Sequence, residues 1–194
     1  MACGRNARGQ LGLGGTNDRD TFTVVAGLGG VLDIDAGEIH TIAVTAERGL
    51  YTWGRGQAIG HGDEEQRLVP TKVTGGGIEE AAVVQVAAGD NHSMALTATG
   101  ELYSWGVGNK GQLGHGDKED LAVPRVVDGI GMVVGMSGGG VHSLVTTAEG
   151  RVLVFGYGEY GRLGLGGVYE ALTPTAIYGI TMGEGGEEGK EGKE

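Results

Sequence analysis

Apolar positions in this chain come in short runs cut by glycine. Val83 to Ala87 is an apolar run that ends at an Ala-Gly pair, and His92 to Thr97 is a second run rich in apolar residues. Thr99-Gly100 supplies a turn. Glu101-Leu102-Tyr103-Ser104-Trp105 then alternates polar and apolar side chains, as a strand with one buried face does. A glycine-rich loop and a charged stretch lead to Val123–Val127. Four short strands in about fifty residues predict a β-meander. No segment keeps apolar residues at a period of about 3.6, so no substantial helix is expected.

The pattern repeats. Trp105-Gly106-Val107-Gly108-Asn109-Lys110-Gly111-Gln112-Leu113-Gly114 is matched by Phe155-Gly156-Tyr157-Gly158-Glu159-Tyr160-Gly161-Arg162-Leu163-Gly164. Cys3-Gly4-Arg5-Asn6-Ala7-Arg8-Gly9-Gln10-Leu11-Gly12 is a third copy, and the copy at Trp53-Gly54 has a loop two residues shorter. Cys3, Trp53, Trp105 and Phe155 stand 50, 52 and 50 residues apart. A second signature keeps the same beat: Ala36-Gly37-Glu38-Ile39-His40, Ala88-Gly89-Asp90-Asn91-His92 and Gly138-Gly139-Gly140-Val141-His142. Two signatures sharing one period mark tandem structural units.

A small sheet alone is marginal in water, so sheets in series must stack face to face to bury their apolar sides. The fold class expected is all-β: a β-propeller of four-stranded antiparallel blades. With strands named a to d, residues 31–75, 83–128 and 133–181 each hold all four. Residues 1–27 hold the end of c and then d, around Phe22 to Val25, and the last d lies around Thr175 to Tyr178. About three and a half blades are therefore present, in an incomplete ring. Either the chain is a segment of a longer array, or several copies assemble. Exposed blade faces at both ends would drive self-association.

Composition narrows the function. The chain holds 43 glycines and three prolines, roughly three times the usual share of glycine without a collagen-like period. Its net charge of −11 disfavours direct nucleic-acid binding, which needs cations to replace phosphate counterions, and disfavours anionic membranes. No stretch approaches the ~20 apolar residues of a membrane span. One cysteine, Cys3, rules out an internal disulfide. With no signal-peptide core at the N-terminus, the chain reads as soluble and cytoplasmic, with the nucleus as a second location. Residues 182–194, all Gly, Glu, Lys or Met, read as a disordered acidic tail.

The aromatic-Gly pair, the Gly-Gln-Leu-Gly loop, the Val-Pro strand and the Ala-Gly-x-x-His turn resemble the regulator of chromosome condensation repeat family. The resemblance covers Cys3 to about Thr181. It implies the family's fold, a propeller of seven four-stranded blades. It also implies one of two activities: nucleotide exchange on the small GTPase Ran, or plain protein binding, in some members attached to ubiquitin ligases. The regular spacing leaves no room for the wedge inserted in the Ran exchange factor, and no basic N-terminal tail is present. Ultraviolet-B receptors of this fold use clustered tryptophans, whereas Trp53 and Trp105 sit here in the repeated aromatic position.

Candidate chemistry falls mostly within the repeat. His40, His92 and His142 recur once per unit, so they are expected to bond turn backbone. His61 and His115 alternate with Leu13 and Leu165 and are read as structural too. The glycine loops mimic a dinucleotide fingerprint, but no helix follows to hold phosphate. Cys3 stands in the aromatic packing slot. No cofactor, metal or catalytic residue is expected. Charges that break the repeat are the better clues: Asp18, Asp20, Asp63, Glu64, Asp117 and Glu119 all lie between the glycine loop and strand d. They are the candidate contacts for another protein, with a small GTPase or a basic protein surface as partner. The expected function is a non-catalytic interaction platform. The alternatives are a guanine-nucleotide exchange factor and a regulatory segment of a larger ubiquitin ligase.

Overall fold

A computed structural model describes residues 1–181; the acidic stretch at 182–194 lies outside the described residues. A two-stranded ribbon, β1 (Ala2–Gly4) with β2 (Arg19–Thr23), is followed by three four-stranded sheets. The first sheet holds β3 (Val31–Ala36), β4 (His40–Thr45), β5 (Leu50–Gly54) and β6 (Arg67–Lys72). The next holds β7 (Val83–Ala88), β8 (His92–Thr97), β9 (Leu102–Gly106) and β10 (Leu121–Val126). The last holds β11 (Val133–Gly138), β12 (His142–Thr147), β13 (Arg151–Tyr157) and β14 (Glu170–Thr181). Each is an antiparallel meander in sequence order. Among the described residues, helix is limited to three-residue 3-10 turns at Gln57–Ile59, Ile78–Glu80 and Glu159–Gly161. The chain is thus half a blade, here blade 1, followed by blades 2, 3 and 4, in an open arc.

The outer strands differ most from the sequence reading. In blade 1 the outer strand is Arg19–Thr23, set by pairing of Gly4 with Arg19 and Ala2 with Thr23. β14 is 12 residues long, because two register shifts against β13 let it continue past each irregularity. Pro70, Pro124 and Pro174 all lie in the outer strands, where a missing N–H costs no ladder bond on the free side.

The core lies between the blades. Ile42, Val44 and Leu50 of blade 2 pack against Val86, Ala95, Tyr103 and Trp105 of blade 3. Met94, Leu96 and Leu102 of blade 3 pack against Val145, Leu153 and Phe155 of blade 4. Scarce aromatics are used where they count, since Trp53, Trp105 and Phe155 are each at most 2% exposed. The ends contrast with this. Beside β1 a cleft of about 570 Å³ is lined by Met1, Cys3, Leu11, Val31, Ile34 and Trp53 among others. Cys3, read as a packing residue, is exposed, because no glycine loop covers its side among the described residues.

Candidate protein-interaction face

The repeated polar residues are bonded across the blade junctions. His40 Nε2 lies 2.9 Å from Ser93 Oγ in the next blade, and Ser93 donates to the carbonyl of Ala58 at 2.8 Å. His92 Nε2 stands in the same relation to Ser143, which donates to Gln112 O. Because each serine proton goes to a carbonyl, each imidazole must donate from Nε2 and leave Nδ1 without a proton. The sequence reading placed these rings on turn backbone, and the structure corrects it: they reach a neighbouring blade's hydroxyl. The Gly-x-x-His turn brings this about, since a Cβ at Gly37, Gly89 or Gly139 would overlap the ring.

Among the described residues, Nδ1 of His40, His92 and His142 has no hydrogen-bond partner. Charging such a ring would bury an unpaired cation, so desolvation lowers His40 to about 4 and His92 to about 3. His142 is also lowered by burial, but it is half-buried, with no following blade on its flank among the described residues.

The aromatic slot uses the same loop carbonyls. Trp53 Nε1 donates to Gln10 O and Trp105 Nε1 to Ala58 O, both at 2.8 Å. Each ring lies flat against a glycine of the preceding loop: a Cβ at Gly60 (φ 77°) would come within 2.6 Å of the Trp105 indole. His61 and His115 bond Thr52 and Ser104 within their own blades. His40, His61, His92, His115, Trp53 and Trp105 are thus each bonded within the scaffold.

The loops between strands c and d all emerge on one side of the arc. They are tied blade to blade by Gly14 N to Leu68 O, Gly62 N to Ala122 O and Gly116 N to Leu172 O. The six acidic candidates differ, and Asp20, expected before strand d, lies within it, in β2 of blade 1. Asp18 accepts the Asn6 N–H, as Asp120 accepts that of Gly108, so it closes its own loop. Asp63 accepts Glu65 N–H and pairs with Arg67 at 2.8 Å, and that bond holds its carboxyl below the usual range. Asp117 accepts Glu119 N–H, and Glu64 receives Gln57 Nε2 at 3.4 Å. Among the described residues, Asp20 and Glu119 make no side-chain hydrogen bond or ion pair. Lys118 bridges to Glu170 of the next blade, so the acidic rim is partly neutralised by its own cations.

Sequence reasoning missed two groups. Asp33 and Asp35 on β3 accept the N–H groups of Val86 and Ala88, joining the innermost strands of blades 2 and 3. Their alternation within strand a was a visible signal, because the equivalent positions are Gln85 and Ala87. The second group is aromatic and basic. Lys110 Nζ lies 4.7 Å from the Tyr157 ring centre, and Arg162 lies 5.6 Å from Tyr157 and 5.7 Å from Tyr160. Tyr160 is 88% exposed and holds a positive φ of 60°. The neighbouring Glu159 pushes the Tyr157 phenol up.

A family model of the regulator of chromosome condensation (RCC1) repeat matches residues 2–44, 49–96 and 99–146, and a second model of the same repeat matches 83–112. The ultraviolet-B receptor UVR8 of Arabidopsis thaliana is 40% identical over 131 residues, covering 66% of this chain and 29% of that protein. The human E3 ubiquitin-protein ligase HERC2 is 36% identical over 133 residues, 66% of this chain but 3% of the ligase. Among solved structures, human WBSCR16 superposes with a TM-score of 0.73 at 26% identity, over 88% of this chain and 45% of that one. Prp20p of Saccharomyces cerevisiae, described with its binding to Gsp1p and histones, superposes at 0.72 and 24% identity, over 88% and 44%. The chain spans less than a third of the length of these sequence relatives and less than half of the solved chains.

Proposed function

Because the chain belongs to the regulator of chromosome condensation (RCC1) repeat family, we propose that it serves as a non-catalytic protein-binding platform whose loop face, on the c–d side of the arc, grips another protein. One observation carries this reading. His40, His92, Trp53 and Trp105 are bonded to a neighbouring blade, and His61 and His115 within their own, whereas exposed charges and tyrosines gather on the c–d side. Binding residues on loops held by a rigid scaffold are the usual arrangement. Asp20 and Glu119 are the acidic candidates left for a partner, while Asp18, Asp63, Glu64 and Asp117 contribute charge and hold the loops. The exposed blade flanks are a further self-association surface.

Immobilised chain should enrich a specific protein from cell extract, identified by mass spectrometry, and substitutions on the c–d loops should abolish the capture. No enrichment over an unrelated propeller would count against the platform. A second reading, a regulatory segment of a ubiquitin ligase, is favoured by the match to a small part of HERC2. It predicts that the captured protein is a substrate or regulator of a ligase. Exchange activity on a small GTPase is checked by nucleotide release, and no acceleration at micromolar chain excludes it.

A further inference from the structure

We propose that the Lys110–Tyr157–Tyr160–Arg162 cluster, where the c–d loop of blade 3 meets blade 4, binds an acidic segment of a partner protein; this rests on the platform reading above and names the chemistry of its partner. Two cations converge on one tyrosine ring, and neither forms an ion pair among the described residues, in a chain of net charge −11. Glu159 and Glu170 lie beside the same tyrosine but pair with neither cation among the described residues, so an incoming carboxylate could bond both cations directly.

The cluster also departs from the repeat in a way that frees donors. Where blades 1 and 3 have Gln10 and Gln112, whose side chains each accept a loop N–H (Arg8 and Lys110), blade 4 has Arg162. Arg162 uses Nε on the carbonyl of Glu159, and its terminal nitrogens make no hydrogen bond among the described residues. A guanidinium fork presented this way matches a carboxylate with two parallel bonds. Tyr160 is held at 88% exposure in a left-handed conformation that favours glycine, and no interior packing accounts for a tyrosine there. Tyrosine and arginine together are the side chains most enriched at the energetic centres of interfaces.

An acidic protein segment fits better than nucleic acid. Asp117, Glu119 and Glu170 lie on the same rim: a phosphate backbone, charged at every nucleotide, would run past them, whereas a short segment can set one carboxylate on the two cations and turn away. The described chain ends at Thr181, which pairs with Arg151 at the opposite end of the sheet from the Tyr157–Glu170 pair, so the occupant argued here is a separate protein and truncation after Thr181 tests the chain's own end.

The test pans a random dodecapeptide display library on the full chain and on its Lys110→Glu variant, then measures the best peptide by fluorescence anisotropy. Enriched peptides should carry Asp or Glu. Lys110→Glu should weaken binding at least about tenfold, Arg162→Gln about tenfold and Tyr160→Ala about fivefold. Arg162→Gln restores the repeat's own residue, so folding should be kept, as checked by thermal melting. Peptides that are neutral or basic, or that bind all three variants as tightly as the parent, would overturn the cluster while leaving the platform standing. No enrichment on either protein would count against both. Displacement of the peptide by single-stranded DNA, or about tenfold tighter binding after truncation at Thr181, would also overturn the proposal, by naming nucleic acid or the chain's own end as occupant.

Discussion

His92 and His142 hold the same position in consecutive blades, yet one is fully buried and the other is half-exposed. The difference lies in the next blade. Ser143 and the Gln112 carbonyl close a bonded chain over His92, while no equivalent hydroxyl reaches His142 among the described residues. A single blade therefore does not bury its own signature histidine. The environment of each repeated residue is made jointly by two blades, which is how a solenoid-like array couples its neighbours.

The largest effect that sharpens this contrast is Trp105→Ala. It empties the blade 2–3 junction and removes the bond to Ala58 O, and it should cost about 4 kcal/mol in urea unfolding. The exposed Tyr160→Ala should cost less than about 0.5 kcal/mol.

Acidification comes next. His40 and His92 have folded pKa values below that of an unfolded histidine, so the unfolded chain binds more protons between pH ~6.5 and pH ~4. Stability is thus full above pH ~6.5 and is lost as pH falls, by about 2 kcal/mol per buried histidine at pH 5. Unfolding curves at pH 8 and pH 5 measure this, and Ser143→Ala should leave the direction unchanged.

A smaller effect compares the two histidines directly. His92→Ala should destabilise by about 2 kcal/mol, because it strips a buried bond and leaves a cavity, and His142→Ala by less than about 1 kcal/mol. Equal losses would break the comparison. A change of opposite sign is Tyr160→Gly, which should stabilise by about 1 kcal/mol through relief of the positive φ, seen as a rise in Tm.

Much of the fold was legible because the repeat is self-consistent. Aromatic-Gly pairs, glycine loops and the period of about fifty residues fixed the number and order of strands. The outer strands were less legible, since β14 continues through two irregularities that leave no mark in the hydrophobic pattern. The site was harder still. Histidine spacing announced a structural role but not the partner, because Ser93 and Ser143 lie in other blades and sequence separation hides the contact. The six acidic candidates were found by their break from the repeat, but charge alone did not show that Asp18 and Asp63 already hold their loops. Lys110, Tyr157, Tyr160 and Arg162 escaped notice because each looks ordinary by itself and only the packing of the blade 3 loop against blade 4 gathers them.

Proton NMR titration of the histidine ring signals tests the shared-junction account most directly. His40 and His92 should stay neutral down to about pH 4, with His142 titrating at clearly higher pH. Three histidines titrating together near pH ~6.5 would contradict it.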